Sequence, residues 1–291
     1  MPTYTALTTL SDEEAAHRLG ASLEALDPAP SGVGVFELED GSGLWEVGGY
    51  FDDAPDDISL SLLAAAHLAR PFTISEVPET DWVAHVRRAL HPIEAGRFFI
   101  HGSHDAEKVP PGVEPLLIEA AMAFGTGHHG TTLGCLLALE DLAGSVPPPE
   151  RVLDLGCGTA VLAMAAARLW PGAEIFASDI DTIAVEVALA NAAANGLAGR
   201  LRCLEAAGLD HPDLQAAAPF GLIFANILRG PLLELAPAIA RATAPGGRVI
   251  LSGLLTTQAP DILAAYRAEG LNEIAHGEIG EWSTLTLSAP G

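Results

Sequence analysis

Residues Arg151-Val-Leu-Asp-Leu-Gly-Cys-Gly-Thr-Ala160 constrain this 291-residue chain more than any other stretch. Val152 to Leu155 reads as a short buried strand, Gly156 and Gly158 as a Gly-x-Gly turn, and Thr159 as the opening of a helix. Such a turn lets a ligand reach bare backbone, and the helix N-terminus adds unpaired N–H groups. The next apolar strand, Ala173 to Ser178, ends at Asp179. An acid about 20 residues after the turn, at the tip of the neighbouring strand, is placed to accept both hydroxyls of a ribose. Together these elements predict an adenosine-binding βαβ unit.

The spacing of small residues narrows the ligand. A dinucleotide fingerprint needs a small residue at the sixth position from the first glycine, so that strand and helix close around a pyrophosphate. Here that position is Val161, which is too bulky. The small residue comes one place earlier, giving Asp154-x-Gly156-x-Gly158-x-Ala160. That pattern resembles motif I of the class I S-adenosylmethionine-dependent methyltransferases, Asp/Glu-x-Gly-x-Gly-x-Gly. Ala160 departs from its last glycine, a mild change if only a small side chain is needed. The resemblance implies S-adenosylmethionine as cofactor, not NAD.

Composition excludes several classes. With 49% hydrophobic and 18% charged residues the chain is globular, and its length suits one large or two ordinary domains. A net charge of −24 opposes a phosphate backbone, so no nucleic-acid binding is expected, while a basic protein partner is favoured. Three scattered cysteines make neither a disulfide framework nor a zinc site. His101 and His104 match no compact ligand set, so no metal is expected. The N-terminus lacks the features of a secretory signal, and no apolar run approaches the ~18 residues of a membrane span. A cytoplasmic protein without membrane attachment is expected, with a monomer favoured.

Two regions differ in pattern. Residues 1–78 read as an N-terminal domain: a strand from Thr3 to Thr9, a helix capped at Ser11, strands Val33–Leu38 and Leu44–Val47 about a hairpin at 39–43, a helix from Asp56 to Ala69, and a strand at Phe72–Ile74. Ile58, Leu62, Ala65, Ala66 and Leu68 form the expected apolar stripe of that second helix, and Phe36, Trp45 and Phe51 belong to the core. Strand–helix–strand–strand–helix–strand is the order of a ferredoxin-like α+β fold. Residues 79–92 read as a linker helix. In the remainder, 93–291, strands begin near Val152, Ile175, Leu201, Leu222 and Val249. Helices over 161–169, 183–194, 231–243 and 258–269 alternate with them. This predicts an α/β, doubly wound parallel sheet with its ligand at the strands' carboxyl ends. Leu271–Glu278 and Ser283–Leu287 have no helix between them and predict a closing antiparallel hairpin, as in the seven-stranded class I methyltransferase sheet.

Two further segments name a family. Gly125-Thr-Gly-His-His-Gly-Thr-Thr132 precedes a helix over 131–142, and Ala225-Asn-Ile-Leu228 with Gly230-Pro231 places a polar amide, Asn226, at the fourth strand's tip. With motif I and Asp179-Ile-Asp181, these resemble the ribosomal protein L11 methyltransferase family, PrmA, across roughly residues 93 to 291. Gly130 departs from the proline often found there. The resemblance implies methyl transfer from S-adenosylmethionine to lysine and N-terminal amino groups of a basic ribosomal protein, with the N-terminal domain recognising the substrate. It implies cofactor contacts from Thr126, Gly127, Thr131, Thr132, Gly156, Gly158, Asp179 and Asn226, and catalytic roles for Asn226 and Ile227. A glutamine-amide methyltransferase would carry Asn-Pro-Pro-Tyr where this chain has Asn226-Ile-Leu-Arg229. A non-catalytic binding module would have no need of Asp179 and Asn226, and RNA methylation is disfavoured by charge.

Overall fold

The computed structural model describes residues 3–26, 28–30, 32–37, 44–51, 53–77, 92–118 and 129–291. The hairpin turn expected at 39–43, the linker helix, Thr126 and Gly127 lie outside these residues. The chain divides into two compact units, Met1–Arg88 and Ala89–Gly291.

The first unit contains β1 (Thr3–Leu10), α1 (Glu13–Glu24), β2 (Gly32–Glu37), β3 (Trp45–Phe51), α2 (Asp57–Ala66) and β4 (Thr73–Val77). Its strands pair antiparallel in the order β2-β3-β1-β4, the ferredoxin-like topology. Ala6, Leu19, Leu23, Val47, Phe51 and Leu60 make its core, and Trp45 is half-buried against it. The side chain of Phe36 lies outside the described residues. Asp12, and not Ser11, caps α1 by accepting from the Ala15 N–H at 2.7 Å.

The expected stripe of α2 is on the wrong face. Ile58, Leu62 and Leu68 are 71%, 66% and 92% exposed, and Leu60 and Ala64 are buried instead. The helix is apolar almost all round, so hydrophobicity alone does not choose its rotation. A polar contact accompanies the observed one: His67 Nε2 meets the Ser22 hydroxyl of α1 at 3.0 Å.

In the second unit, unbroken apolar runs become strands covered on both faces, as a parallel sheet requires. A short sheet comes first, β5 (Ile93–Ala95), β6 (Phe98–His101) and β7 (Glu114–Leu117). Then α3 (His129–Ser145), β8 (Arg151–Leu155), α4 (Val161–Leu169), β9 (Glu174–Asp179), α5 (Thr182–Ala194) and β10 (Leu201–Glu205) follow. A six-residue α6 (Pro212–Ala217), too short to show in the sequence pattern, precedes β11 (Phe220–Asn226), α7 (Arg229–Ala242), β12 (Thr243–Leu255) and α8 (Ala259–Ala268). The chain ends in β13 (Asn272–Ile279) and β14 (Trp282–Ser288). Seven strands form one sheet in the order β10-β9-β8-β11-β12-β14-β13. Pairing is parallel from β10 to β12, and β14 is antiparallel to both its neighbours.

Alternate residues of each strand feed two cores. Val152, Ile175, Leu222, Phe224 and Ile250 pack under α3 and α4, with Cys135, Leu136, Leu139 and Leu162. Leu153, Phe176, Ile223, Val249 and Leu251 pack under α7 and α8, with Leu232, Ile239, Ile262 and Tyr266. The strand order reverses direction between β8 and β11, which opens a crevice beyond their carboxyl ends. Among the described residues, no helix is long and apolar enough to cross a membrane.

Asn195, just past α5, fastens the small sheet to this body. Its Oδ1 accepts from Leu117 N at 2.8 Å, and its Nδ2 donates to Leu117 O at 2.7 Å and Asn191 O at 2.8 Å. Asn195→Ala leaves the Leu117 backbone groups without these partners and is expected to cost about 2–4 kcal/mol. Urea unfolding measures this, and a loss under about 0.5 kcal/mol would show that the tether is redundant.

Candidate active site

At the end of β8 the chain turns through Gly156 (φ 69°) and Gly158 (φ 51°). It enters α4 at Val161, as the helix expected over 161–169 requires and two residues past the opening read at Thr159. Ala160 precedes the helix in the left-handed region, with φ 59°, and is fully buried. The family's glycine at this position therefore has a conformational reason besides size. An L-residue there costs roughly 1–2 kcal/mol that glycine does not.

The turn spends its own amides internally. Gly156 N and Cys157 N both donate to Ser178 O, at 2.8 and 2.9 Å. Gly158 N donates to Asp179 Oδ2 at 2.9 Å. The other oxygen, Oδ1, accepts from Asp181 N at 3.1 Å, and Asp181 in turn caps α5 by accepting from Ile183 N at 2.8 Å. Asp179 is thus held rigidly at the tip of β9. A carboxylate offers about four acceptor directions, so two remain for a ligand. Ile180, 74% exposed, adjoins it and was not anticipated from sequence. Its signal was an aliphatic residue just beyond the acid, where the strand has ended.

Beneath the turn lies Asp154, buried, with Oδ2 accepting from Ala163 N at 3.0 Å. Loss of hydration, with a smaller contribution from the charge of Asp179, pushes its carboxyl up from 3.8 to about 7 despite the Ala163 bond. Burial likewise raises the thiols of Cys135, Cys157 and Cys203, the last to about 11, which disfavours the thiolate.

On the other side of β8, β11 ends at Asn226, paired in register with Ser252 of β12. Asn226 is half-buried, and among the described residues its amide makes no side-chain hydrogen bond. Ile227 follows, wedged between two glycines. A Cβ on Gly156 would collide with its Cγ2, and one on Gly253 would lie 2.5 Å from its O, 2.8 Å from its C and 2.9 Å from its N. Thr131, buried, and Thr132 sit in the first turn of α3, where Gly130 packs on Trp282 and Ile279. A Cβ at Gly130 would meet Trp282 at 3.1 Å, so the departure from proline is matched to a close neighbour. The structure brings Gly156, Gly158, Asp179, Asn226 and Ile227 to the ends of three adjacent strands.

The sequence profile of the family described as Ribosomal protein L11 methyltransferase (PrmA) matches residues 19–290. The chain belongs to that family. A ribosomal protein L11 methyltransferase of Bradyrhizobium diazoefficiens is 46% identical over 295 residues, covering 100% of this chain and 99% of the relative. One from Brucella suis is 46% identical over 241 residues, 82% of this chain and 83% of that one. The crystal structure of the ribosomal protein L11 methylase from Lactobacillus delbrueckii subsp. bulgaricus superposes with TM-score 0.61 at 29% identity. It covers 70% of this chain and 100% of that one. The seven-stranded unit is accordingly a class I methyltransferase fold, and the chain is a methyltransferase of the PrmA family.

The histidine pair has local partners. His101 Nδ1 lies 2.9 Å from Gly102 O, and His104 stands 3.4 Å from Asp105, which is ion-paired to Lys108 at 2.7 Å. Among the described residues no cluster of three His, Cys, Asp or Glu is arranged to hold a metal.

Asp154 generates a pH prediction. Its folded value, about 7, exceeds the ordinary 3.8, so the unfolded chain loses this proton first as pH rises. The stability it contributes is full below pH 4 and is lost as pH climbs to about 7. Asp154→Asn keeps an acceptor for Ala163 N and removes the titration. The variant should therefore gain on the native protein between pH 4.5 and 7.5, by up to roughly 4 kcal/mol at 1.36 kcal/mol per unit. Parallel urea-stability profiles for the two proteins would refute it.

Proposed function

We propose that this chain is an S-adenosylmethionine-dependent protein N-methyltransferase acting on lysine side chains and the N-terminal amine of ribosomal protein L11. Support comes from the family and from the electrostatics of the glycine turn. A dinucleotide site presents free amides to a pyrophosphate. Here three turn amides are already bonded, and the carboxyl groups of Asp154 and Asp179 flank them. With its amides spent and the Asp179 carboxylate bonded to one of them, the turn offers little to a phosphate and places a negative charge beside the ligand. This is the observation that carries the cofactor assignment.

The residues present fit that cofactor. Asp179 has acceptor capacity for two ribose hydroxyls, Gly156 and Gly158 allow close backbone approach, and Ile180 gives a purine an apolar ledge. Thr126, Gly127, Thr131, Thr132 and Asn226 complete the proposed contacts. Bound there, S-adenosylmethionine supplies a methyl group already activated by its sulfonium. Little but positioning is left to the protein. A free lysine, with pKa about 10.4, gives up a proton to water before it can act as a nucleophile. The side-chain oxygen of Asn226 and the carbonyl of Ile227 then accept the remaining N–H groups and aim the lone pair.

Recognition of the protein substrate belongs to the first unit in this proposal, with residues 1–78 as the recognition domain, 79–92 as the connector and 93–291 as the transfer domain. Residues 1–88 hold sixteen carboxylates against four arginines and no lysine, a surface suited to a basic partner. A tethered recognition domain raises the local concentration of the substrate without fixing one pose, as several target amines require. A monomer contains every part named.

Methyl-labelled S-adenosylmethionine with purified L11, followed by mass mapping, should place label on lysine and N-terminal amines, and label confined to other atoms would overturn the assignment. In calorimetry, Asp179→Ala should lose roughly 1.5–3 kcal/mol of S-adenosylhomocysteine affinity. NAD should not bind, and unchanged affinity in the variant would remove Asp179 from the site. For recognition, hydrogen exchange of the full-length protein should show L11-dependent protection within residues 1–78, weakening as salt is added. Protection found only beyond residue 92 would defeat that role.

A further inference from the structure

Gly253 belongs to none of the motifs described so far, yet it lies where β12 reaches the site. Between β12 and β14 the register slips from Leu251↔Leu285 to Leu254↔Ser283, so three steps on β12 oppose two on β14. The extra residue makes a bulge over Ser252 and Gly253, with Gly253 at φ 81°. Bulges of this kind end regular pairing and redirect the chain next to functional sites. Ser252 is anchored below it, its hydroxyl donating to Ser283 O at 2.8 Å and meeting Thr284 Oγ1 at 3.2 Å.

The bulge brings the Gly253 backbone against the whole Ile227 peptide unit. A Cβ there would fall among three Ile227 backbone atoms, which have no flexible side chain to move aside. On the opposite side the Ile227 side chain seats on Gly156, in the glycine turn. Ile227 is therefore clasped between the ends of β8 and β12. We infer that Gly253 is a positioning residue for methyl transfer, fixing the Ile227 carbonyl relative to the turn that holds the methyl donor. This rests on the proposed role of Asn226 and Ile227 and adds a residue that no motif marks. A displacement of a few tenths of an ångström at Ile227 would misalign the amine while leaving Asp179 and the glycine turn in place, so turnover and cofactor binding separate.

Gly246 provides an internal control. It lies in the same strand with φ 70°, is exposed, and a Cβ added to it would meet nothing within 4 Å. Alanine there carries the same backbone penalty without the Ile227 contact. In the full-length protein, Gly253→Ala should lower kcat for L11 methylation at least tenfold, with S-adenosylhomocysteine Kd changed less than threefold. Hydrogen exchange over residues 224–230 should accelerate. Gly246→Ala should leave kcat and that exchange within twofold of the native protein. If Gly253→Ala does not fold, Ile227→Ala, which removes the contact with Gly156, should show the same loss of kcat with retained Kd. Native kcat in whichever variant folds overturns the clasp, as does an equal loss in Gly246→Ala. Asn226→Ala separates the two levels of inference: normal turnover there defeats the placement of the reacting amine, whereas a tenfold loss there with normal Gly253→Ala turnover defeats only the clasp.

Discussion

Ser178 and Asp179, at the end of β9, tie the site to its neighbours on both sides. The Ser178 carbonyl receives two amides of the glycine turn, the Asp179 carboxylate receives a third, and the Asp179 carbonyl receives Ala206 N at 2.8 Å beyond β10. One dipeptide thus joins the loops that follow three adjacent strands. Those strands are fixed by cores on both faces, so their tips inherit the rigidity of the sheet. These bonds fix the loops relative to one another, which is the condition for precise placement of a reacting group.

The other half of the site depends on what is missing. Gly156 and Gly253 make room for Ile227, and Gly134 of α3 makes room for Thr284. Ala163, Ala165 and Ala166 are fully buried on α4, where small side chains let the helix lie close to the sheet. That closeness brings Ala163 N to Asp154 and sets a carboxyl group at the helix N-terminus, where the helix dipole favours negative charge. Desolvation works against the dipole and prevails, which is why the Asp154 carboxyl is raised and not lowered. The result is a buried carboxyl group that keeps its proton to higher pH, set among backbone and small residues.

This balance explains what could be read in the sequence. Long apolar runs gave the strands of the second unit to within a few residues, and glycine spacing with Asp179 marked the turn at the carboxyl ends of β8 and β9. The rotation of α2 was not legible, because Ile58, Leu60, Leu62 and Leu63 cover most of its circumference and the polar contact with Ser22 comes from 45 residues away. The left-handed backbone of Ala160 was hidden for another reason: alanine carries no mark of unusual φ. Gly253 was hidden because the atoms it accommodates belong to a strand that is its neighbour only in the sheet. Ile180 carried a visible signal, an aliphatic side chain past a strand end, but one that needs the burial of the strand itself to be interpreted.

Charge composition bears on the proposed chemistry as well as on partners. The chain has thirteen arginines and one lysine, Lys108. Guanidinium stays protonated and is no nucleophile near neutral pH, whereas a lysine amine is the group an amine methyltransferase transforms. Lys108 is held against the buried Asp105 at 2.7 Å, and its ammonium keeps the Asp105 carboxyl below the usual range. A surface built with arginine therefore supplies positive charge while offering few lysine amines to the proposed reaction. The same choice leaves an acidic excess that suits the proposed basic partner.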